Sequence, residues 1–272
     1  MTRAALSDSG GRGLALAALA IPVMVGIAFQ LSAGAPPSYA LTNGLALVCA
    51  EALVLTLRIS MDSRRARVAL WLGTMLLFVP LATGPSINGI ARWLPIGPVT
   101  LHAGMLTIPA IAVLSAHTGR AGIAAMLVAL FAALVQPDAG SGMAICGAAI
   151  GLYVARPDWK SGSIAFLAFG ASLSMFLRGE LPPQRFVERI LVDAAAHSVW
   201  HALAIMLAMV AAVCLLALPG DGTRSARYAL AGSFAGFSIA ALVSHYPYPL
   251  IGFGAAPILG YGVALAMLRP EP

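Results

Sequence analysis

Asn88, Arg92 and Trp93 lie close together in the stretch GPSINGIARWLPIGPVTLHAG. An arginine offers a planar fork of donors suited to phosphate, and a tryptophan can stack on a sugar or sit at a membrane interface. An interfacial anchor pair is the plainer reading of the same residues. A second polar group, Gln136 with Asp138, interrupts two apolar runs in FAALVQPDAGSGM. A third stretch, RGELPPQRFVERILVDAAAHSVWHA, holds Glu180, Arg185, Glu188, Arg189 and Asp193, and is the most charged part of the chain. So dense a group of charges between apolar runs is a candidate site. The alternative is a solvated loop with a short amphipathic helix. His197 and His201 have the four-residue spacing of a zinc pair, but the glutamate of HExxH is missing and no third ligand is evident. They read more simply as polar neighbours in a helix bundle. Glu51 is the one acidic residue near the centre of an apolar run, which makes it a functional candidate or a protonated, hydrogen-bonded packing group. No cofactor and no metal site is read from these patterns, although a divalent ion stays open.

The elements that must carry these residues are membrane helices. The chain of 272 residues is 60% hydrophobic and 10% charged, with a mean hydropathy of +0.90, far from an ordinary soluble domain. The apolar runs are continuous and do not alternate with polar residues, which argues against a barrel. A net charge of +6 suggests nucleic acid only until the basic residues are placed: they are scattered singly between apolar runs, so no nucleic-acid face is expected. Cys49, Cys146 and Cys214 are far apart, each inside an apolar run, and read as small buried hydrophobes.

Helices are expected near 13–33, 40–59, 67–83, 100–116, 121–136, 139–155, 162–178, 194–218, 227–244 and 248–268, all within one integral membrane domain spanning 1–272. The first run is longer than a signal-peptide core and is kept as a helix after a tail at 1–12. Ten spans put both termini on one side, together with twelve basic residues: Arg3, Arg12, Arg58, Arg64, Arg65, Arg67, Arg120, Arg156, Lys160, Arg224, Arg227 and Arg269. Arg92, Arg178, Arg185 and Arg189 fall on the other. The bias places both termini in the cytoplasm and the helices among membrane lipids. Asp138 then lies in a tight outer hairpin between the fifth and sixth spans, and 178–196 forms an outer loop. Pro247, Pro249 and the glycines that follow suggest a broken start to the last helix. GAAIG at 147–151 and GSFAG at 232–236 have the small-xxx-small spacing of close helix pairs.

Three of these stretches resemble the SEDS family of bacterial polytopic membrane proteins, the FtsW/RodA-like group. NGIARWLPIGPVTLHAG at 88–104 is similar to the family's NGA-x-RW segment through Asn88, Gly89, Arg92, Trp93, Gly97 and Pro98. LVQPDAGSG at 134–142 resembles its QPD-x-GT hairpin, and YPLIGFGAAPILGYGVAL at 248–265 resembles the signature that opens its last helix. The resemblance implies an all-α ten-helix bundle. It implies a role in cell shape, division or peptidoglycan biosynthesis, in which active members act as glycosyltransferases that polymerise lipid II beside a class B penicillin-binding protein, a single-span membrane partner. The substrate class would be a sugar on an undecaprenyl pyrophosphate carrier. Arg92 would meet the diphosphate with Asn88, Trp93 and Gln136 nearby, and Asp138, Glu188 or Asp193 would be the base.

The departures are substantial. Leu101-His102-Ala103-Gly104 stands where the family has QPSE, and Gly252 to Pro257 has lost the family's serines and tyrosine. The outer loop before the eighth span is short and has no clear match to the motif that carries the family's aspartate. Two expectations therefore stand side by side: a compact glycosyltransferase or lipid-linked sugar handler, and a non-catalytic relative serving as scaffold or subunit. A transporter is a weaker third, motivated by Glu51 and the broken helix.

Overall fold

The computed structural model describes residues 2–57, 63–97, 99–178 and 181–268. Arg58, Pro98, Glu180 and Arg269 lie outside the described residues, and so does the side chain of Arg3. The fold is an all-α polytopic bundle. Its helices are α1 (Thr2–Ser32), α2 (Pro37–Thr56), α3 (Ser63–Leu76), α4 (Val79–Thr83), α5 (Ala103–Thr118), α6 (Arg120–Val135), α7 (Ala139–Ala155), α8 (Trp159–Phe176), α9 (Ile190–His197), α10 (Val199–Ala217), α11 (Arg224–Val243) and α12 (Ala255–Ala266). A small antiparallel pair, β1 (Trp93–Ile96) and β2 (Val99–His102), precedes α5.

Each of the ten expected segments contains a helix. Five helical stretches, at 11–32, 37–56, 63–83, 199–217 and 224–243, are long and apolar enough to cross a membrane. Four more apolar helices (α5, α6, α7 and α12) are shorter. The protein is thus a multi-pass membrane protein. Its rim faces apolar surroundings with exposed side chains such as Leu41, Leu45 and Val48 on α2, Leu72 on α3, Phe166 on α8 and Leu207 on α10. The centre is made by α5, α7 and α12, which are apolar all round and buried along most of their length.

The contact of α7 with α11 is built from glycine. A Cβ added at Gly147 would overlap the carbonyl oxygen of Gly232, and one at Gly232 would overlap that of Gly147. The two small-xxx-small stretches are therefore partners, meeting backbone to backbone.

The structure departs from the sequence reading in several places: Cys49 and Cys214, expected to be buried, are exposed and only Cys146 is buried, a strand occupies 99–102, and four helix bounds differ. The first helix runs back to Thr2. The third span is divided at Leu77–Phe78, ahead of Pro80. The eighth is divided at Ser198, whose extended backbone ends α9 and whose hydroxyl accepts from the Trp200 amide to start α10. The last helix begins at Ala255, not 248, because the positive φ of Leu250 (+63°) and of Gly254 (+148°) turns the preceding chain out of a helical path. That non-helical segment is packed in protein, so its polar backbone needs internal partners. Gln30 of α1 donates to the Ile251 carbonyl at 3.1 Å. Asn43 of α2 donates to the Gly252 carbonyl and accepts from the Gly254 amide, both at 3.0 Å.

Candidate functional site

Of the residues singled out in the loops, Arg92, Trp93 and Asp138 are brought together at one end of the bundle. Two turns bring this about. Asn88 (φ +54°) and Gly89 (φ +77°) are the central residues of a tight hairpin closed by the reciprocal hydrogen bonds of Ile87 and Ile90, at 3.1 and 2.9 Å. Asn-Gly is the favoured pair where both φ values are positive. Asn88 itself is exposed at the turn and away from the buried cluster. The second turn, at Gly97 (φ +59°), pairs Trp93 with His102 across the hairpin. The Arg92 carbonyl accepts from the Ala103 amide at 2.9 Å, which fixes the start of α5.

Arg92 is a buried cation, 2% exposed. Its guanidinium lies 4.9 Å from the Trp93 ring centre and 4.7 Å from that of Tyr246, so two π-faces flank it. Its charge is met by Asp138, also 2% exposed, at 3.8 Å. Asp138 caps α7 by accepting from the Ser141 amide at 3.2 Å, and its second oxygen accepts from the Ser141 hydroxyl. Three interactions thus hold this carboxylate in place. Gly104 makes room for it, because a Cβ there would strike the Ser141 hydroxyl.

His102 completes the buried group. Its Nδ1 accepts from the Met105 amide, capping α5, and its Nε2 lies 3.6 Å from Asp138. Burial lowers its pKa to about 4, with Asp138 opposing and Arg92 assisting, so the imidazole is neutral near pH 7. Tyr246 holds α7 from the far side: its hydroxyl accepts from the Ala139 amide at 2.8 Å. Burial, reinforced by the Asp138 charge, pushes its pKa up to about 12. Gln136 is buried too and donates to the Leu77 carbonyl, which the break between α3 and α4 leaves free.

Glu188 has a different environment. It is half-buried in the loop after α8, and the Gln184 amide donates to its Oε2 at 2.8 Å. Burial raises its pKa, and the nearby charges of Arg92 and His245 pull the other way. The loop is tied to the buried segment ahead of α12: the Phe186 carbonyl accepts from the Phe253 amide at 2.8 Å and the Val187 carbonyl from the Tyr248 amide at 3.2 Å. Arg178, Arg185 and Arg189 are exposed around it. Arg185 donates to the Ala33 carbonyl at 3.3 Å and lies over the Phe186 ring.

The remaining candidates stand apart. Asp193 sits on α9, 3.9 Å from Arg189. His197 and His201 lie ring to ring at 5.1 Å against Phe29, and His201 Nε2 is 3.3 Å from the Ser32 hydroxyl. Among the described residues, no group of three or more His, Cys, Asp or Glu is placed to hold a metal ion. Glu51 is half-buried on α2, whose neighbours are α1 and α12, and makes no ion pair with a described residue.

His102, Ser141 and Tyr246 belong to the site without having been singled out for it. The spacing Asp-x-x-Ser at 138–141 is a capping signal and could have flagged Ser141. Nothing local marks Tyr246.

No protein-family model matches the chain, and none of the curated proteins does. Solved structures do. The rod shape determining protein RodA of Thermus thermophilus superposes with a TM-score of 0.71 at 18% identity in an aspartate-to-alanine variant, covering 94% of this chain and 95% of that one. Its unsubstituted form gives 0.69 at 17%, covering 94% of each. A structure titled for the coordination of polymerization and crosslinking by a peptidoglycan synthase complex gives 0.61 at 21%, covering 93% and 96%. With nearly all of both chains superposed, this protein has the fold of RodA, the SEDS architecture that its loop motifs resemble.

Proposed function

We propose that the protein takes part in bacterial cell-envelope biogenesis at the inner membrane, as a glycosyltransferase-type protein acting on a sugar carried by a polyprenyl pyrophosphate. What supports this most is the placement of Glu188: a half-buried carboxylate of raised pKa, held in a loop with exposed arginines and within reach of the charge of the buried Arg92. The RodA fold gives the reading its frame. In the reaction, an acceptor sugar hydroxyl attacks the anomeric carbon of the donor. Glu188 takes the hydroxyl proton, and the bond from that carbon to the pyrophosphate oxygen breaks, releasing the polyprenyl pyrophosphate.

Arg92 and Asp138 are the fixed floor of this site. Arg185 and Arg189, exposed on the loop and held by the Ala33 carbonyl and by Asp193 respectively, are the donors that turn to a diphosphate, and Trp93 offers a ring to the sugar. Asn88 and Gln136 act through the turns they hold. A single-span class B penicillin-binding protein is the expected partner, in line with the synthase complex among the structural neighbours. Both termini lie in the cytoplasm on this reading, since Arg64, Arg65, Arg120, Arg156 and Arg224 all sit at helix ends opposite the Arg92 cluster.

A non-catalytic relative acting as scaffold is the second reading. It is favoured by the engagement of Glu188 with the Gln184 amide, which makes the carboxylate part of the loop's own structure. Binding of an undecaprenyl-pyrophosphate-linked disaccharide to the purified protein tests the shared premise. Arg185→Gln with Arg189→Gln should weaken binding by about tenfold or more, the equivalent of losing about 1.4 kcal/mol. Equal binding by the variant and the unsubstituted protein would remove these arginines from the site.

A further inference from the structure

The helix ends remote from Arg92 carry a second arrangement that the proposed reaction does not use. A groove of about 300 Å³ runs between α6 and α8. Its walls are Ile123 and Leu127 on α6 and Ile164 and Leu167 on α8, and its mouth holds Arg120 and Lys160. Trp159, 75% exposed, stands at the same mouth, with the Lys160 ammonium 5.9 Å from its ring centre. A second groove of about 610 Å³ runs along the other flank of α8 and shares Trp159, Ser163 and Leu167 with the first.

This arrangement separates charge from apolar surface along one axis. Two cations sit at the end of an apolar trough, and a tryptophan sits where an interface would be. Among the described residues neither cation is in a salt bridge. The nearby Asp158 is spent on the start of α8: it accepts from the amides of Lys160 and Ser161 at 2.9 and 3.1 Å and from the Ser161 hydroxyl at 2.6 Å. Along α6, from Arg120 to Gln136, the rise is about 24 Å. The groove therefore opens on the other leaflet from the Arg92 cluster and is no extension of that site.

We propose that this groove is a specific site for an anionic diacyl phospholipid. The phosphate and the acidic headgroup lie between Arg120 and Lys160, and the two acyl chains lie on either side of the α8 ridge. Zwitterionic lipids carry a compensating ammonium that the two cations repel, so the site discriminates by headgroup charge. A basic side chain beside an anionic headgroup contributes about fivefold in binding.

The test uses brominated lipids as quenchers. With Trp71, Trp93 and Trp200 replaced by Phe, Trp159 alone reports on its neighbours. In phosphatidylcholine bilayers, brominated phosphatidylglycerol should quench Trp159 at about a 25-fold lower mole fraction than brominated phosphatidylcholine does, about fivefold for each of the two cations. In Arg120→Gln with Lys160→Gln, the two lipids should quench alike. Native mass spectrometry of the chain with all its tryptophans should show phosphatidylglycerol retained, and the double variant should lose it. Equal quenching by the two lipids before any charge is removed would mean annular lipid only and would overturn the proposal. So would a preference that survives the double substitution.

Discussion

Arg92 and Asp138 stand 3.8 Å apart, both 2% exposed, and the pair joins the loop after α4 to the start of α7. Removing one member leaves a buried charge unpaired, whereas removing both leaves a neutral gap. Asp138→Ala also removes the α7 cap. It should destabilise the protein by about 3–5 kcal/mol, read as unfolding in detergent. Adding Arg92→Met should recover part of that loss. Purely additive losses would show that the pair is not coupled.

The α7–α11 contact makes a contrasting pair of substitutions. Gly147→Ala places a methyl against the Gly232 carbonyl and should cost about 1–3 kcal/mol as the helices separate. Gly170 on α8 has nothing within 4 Å of its would-be Cβ. Gly170→Ala should stabilise by up to about 1 kcal/mol through helix propensity. Thermal unfolding of the two variants side by side reads the difference, and equal shifts would contradict the packing.

His102 ties stability to pH. Its folded pKa, about 4, lies below its unfolded value of 6.5, so the unfolded chain binds the proton first. This term leaves stability intact above pH 6.5 and erodes it as pH falls toward 4, by about 1.4 kcal/mol per unit within that window. Glu188, with its raised pKa, contributes with the opposite sign as pH falls. The comparison is therefore made between the unsubstituted protein and His102→Gln at each pH. The gap between them should narrow below pH 6.5, and a constant gap would show that His102 does not titrate this way.

Tyr246 serves through its hydroxyl and through its ring, and two substitutions separate them. Tyr246→Phe keeps the ring beside Arg92 but leaves the Ala139 amide without its acceptor, costing about 1–3 kcal/mol. Tyr246→Ala also opens a cavity and should cost more. Unfolding midpoints that fail to rank in this order would contradict the assignment.

Much of this architecture is legible in the sequence, and what escapes has identifiable causes. The ten apolar segments announce themselves by length and hydropathy, and the glycines at 147–151 and 232–236 announce a close pair by spacing. The hairpin at 93–102 does not, because its strands are four residues each and the Gly-Pro at 97–98 reads as a plain loop in the sequence. The start of α12 is misplaced because Leu250 and Ile251 look like helix interior, while Gln30 and Asn43, far away in the chain, satisfy a turned, non-helical backbone there. At the site, residue types pointed to Arg92, Asp138 and Glu188. The Asp138–Ser141 cap is local and visible in the spacing, but that Asp138 also pairs with Arg92, while Glu188 keeps a raised pKa, depends on contacts between segments far apart in sequence, and spacing carries no signal for those.

The most direct measurement is glycan polymerisation from labelled lipid II by the purified protein, alone and with a class B penicillin-binding protein, at several pH values. The account predicts polymer from the unsubstituted chain, with an acid limb above the ordinary glutamate range set by the raised Glu188 pKa. It predicts that Glu188→Gln loses polymer by at least about a hundredfold while still binding lipid II. Polymer formed equally well by Glu188→Gln, or none from the unsubstituted chain with its partner present, would contradict it.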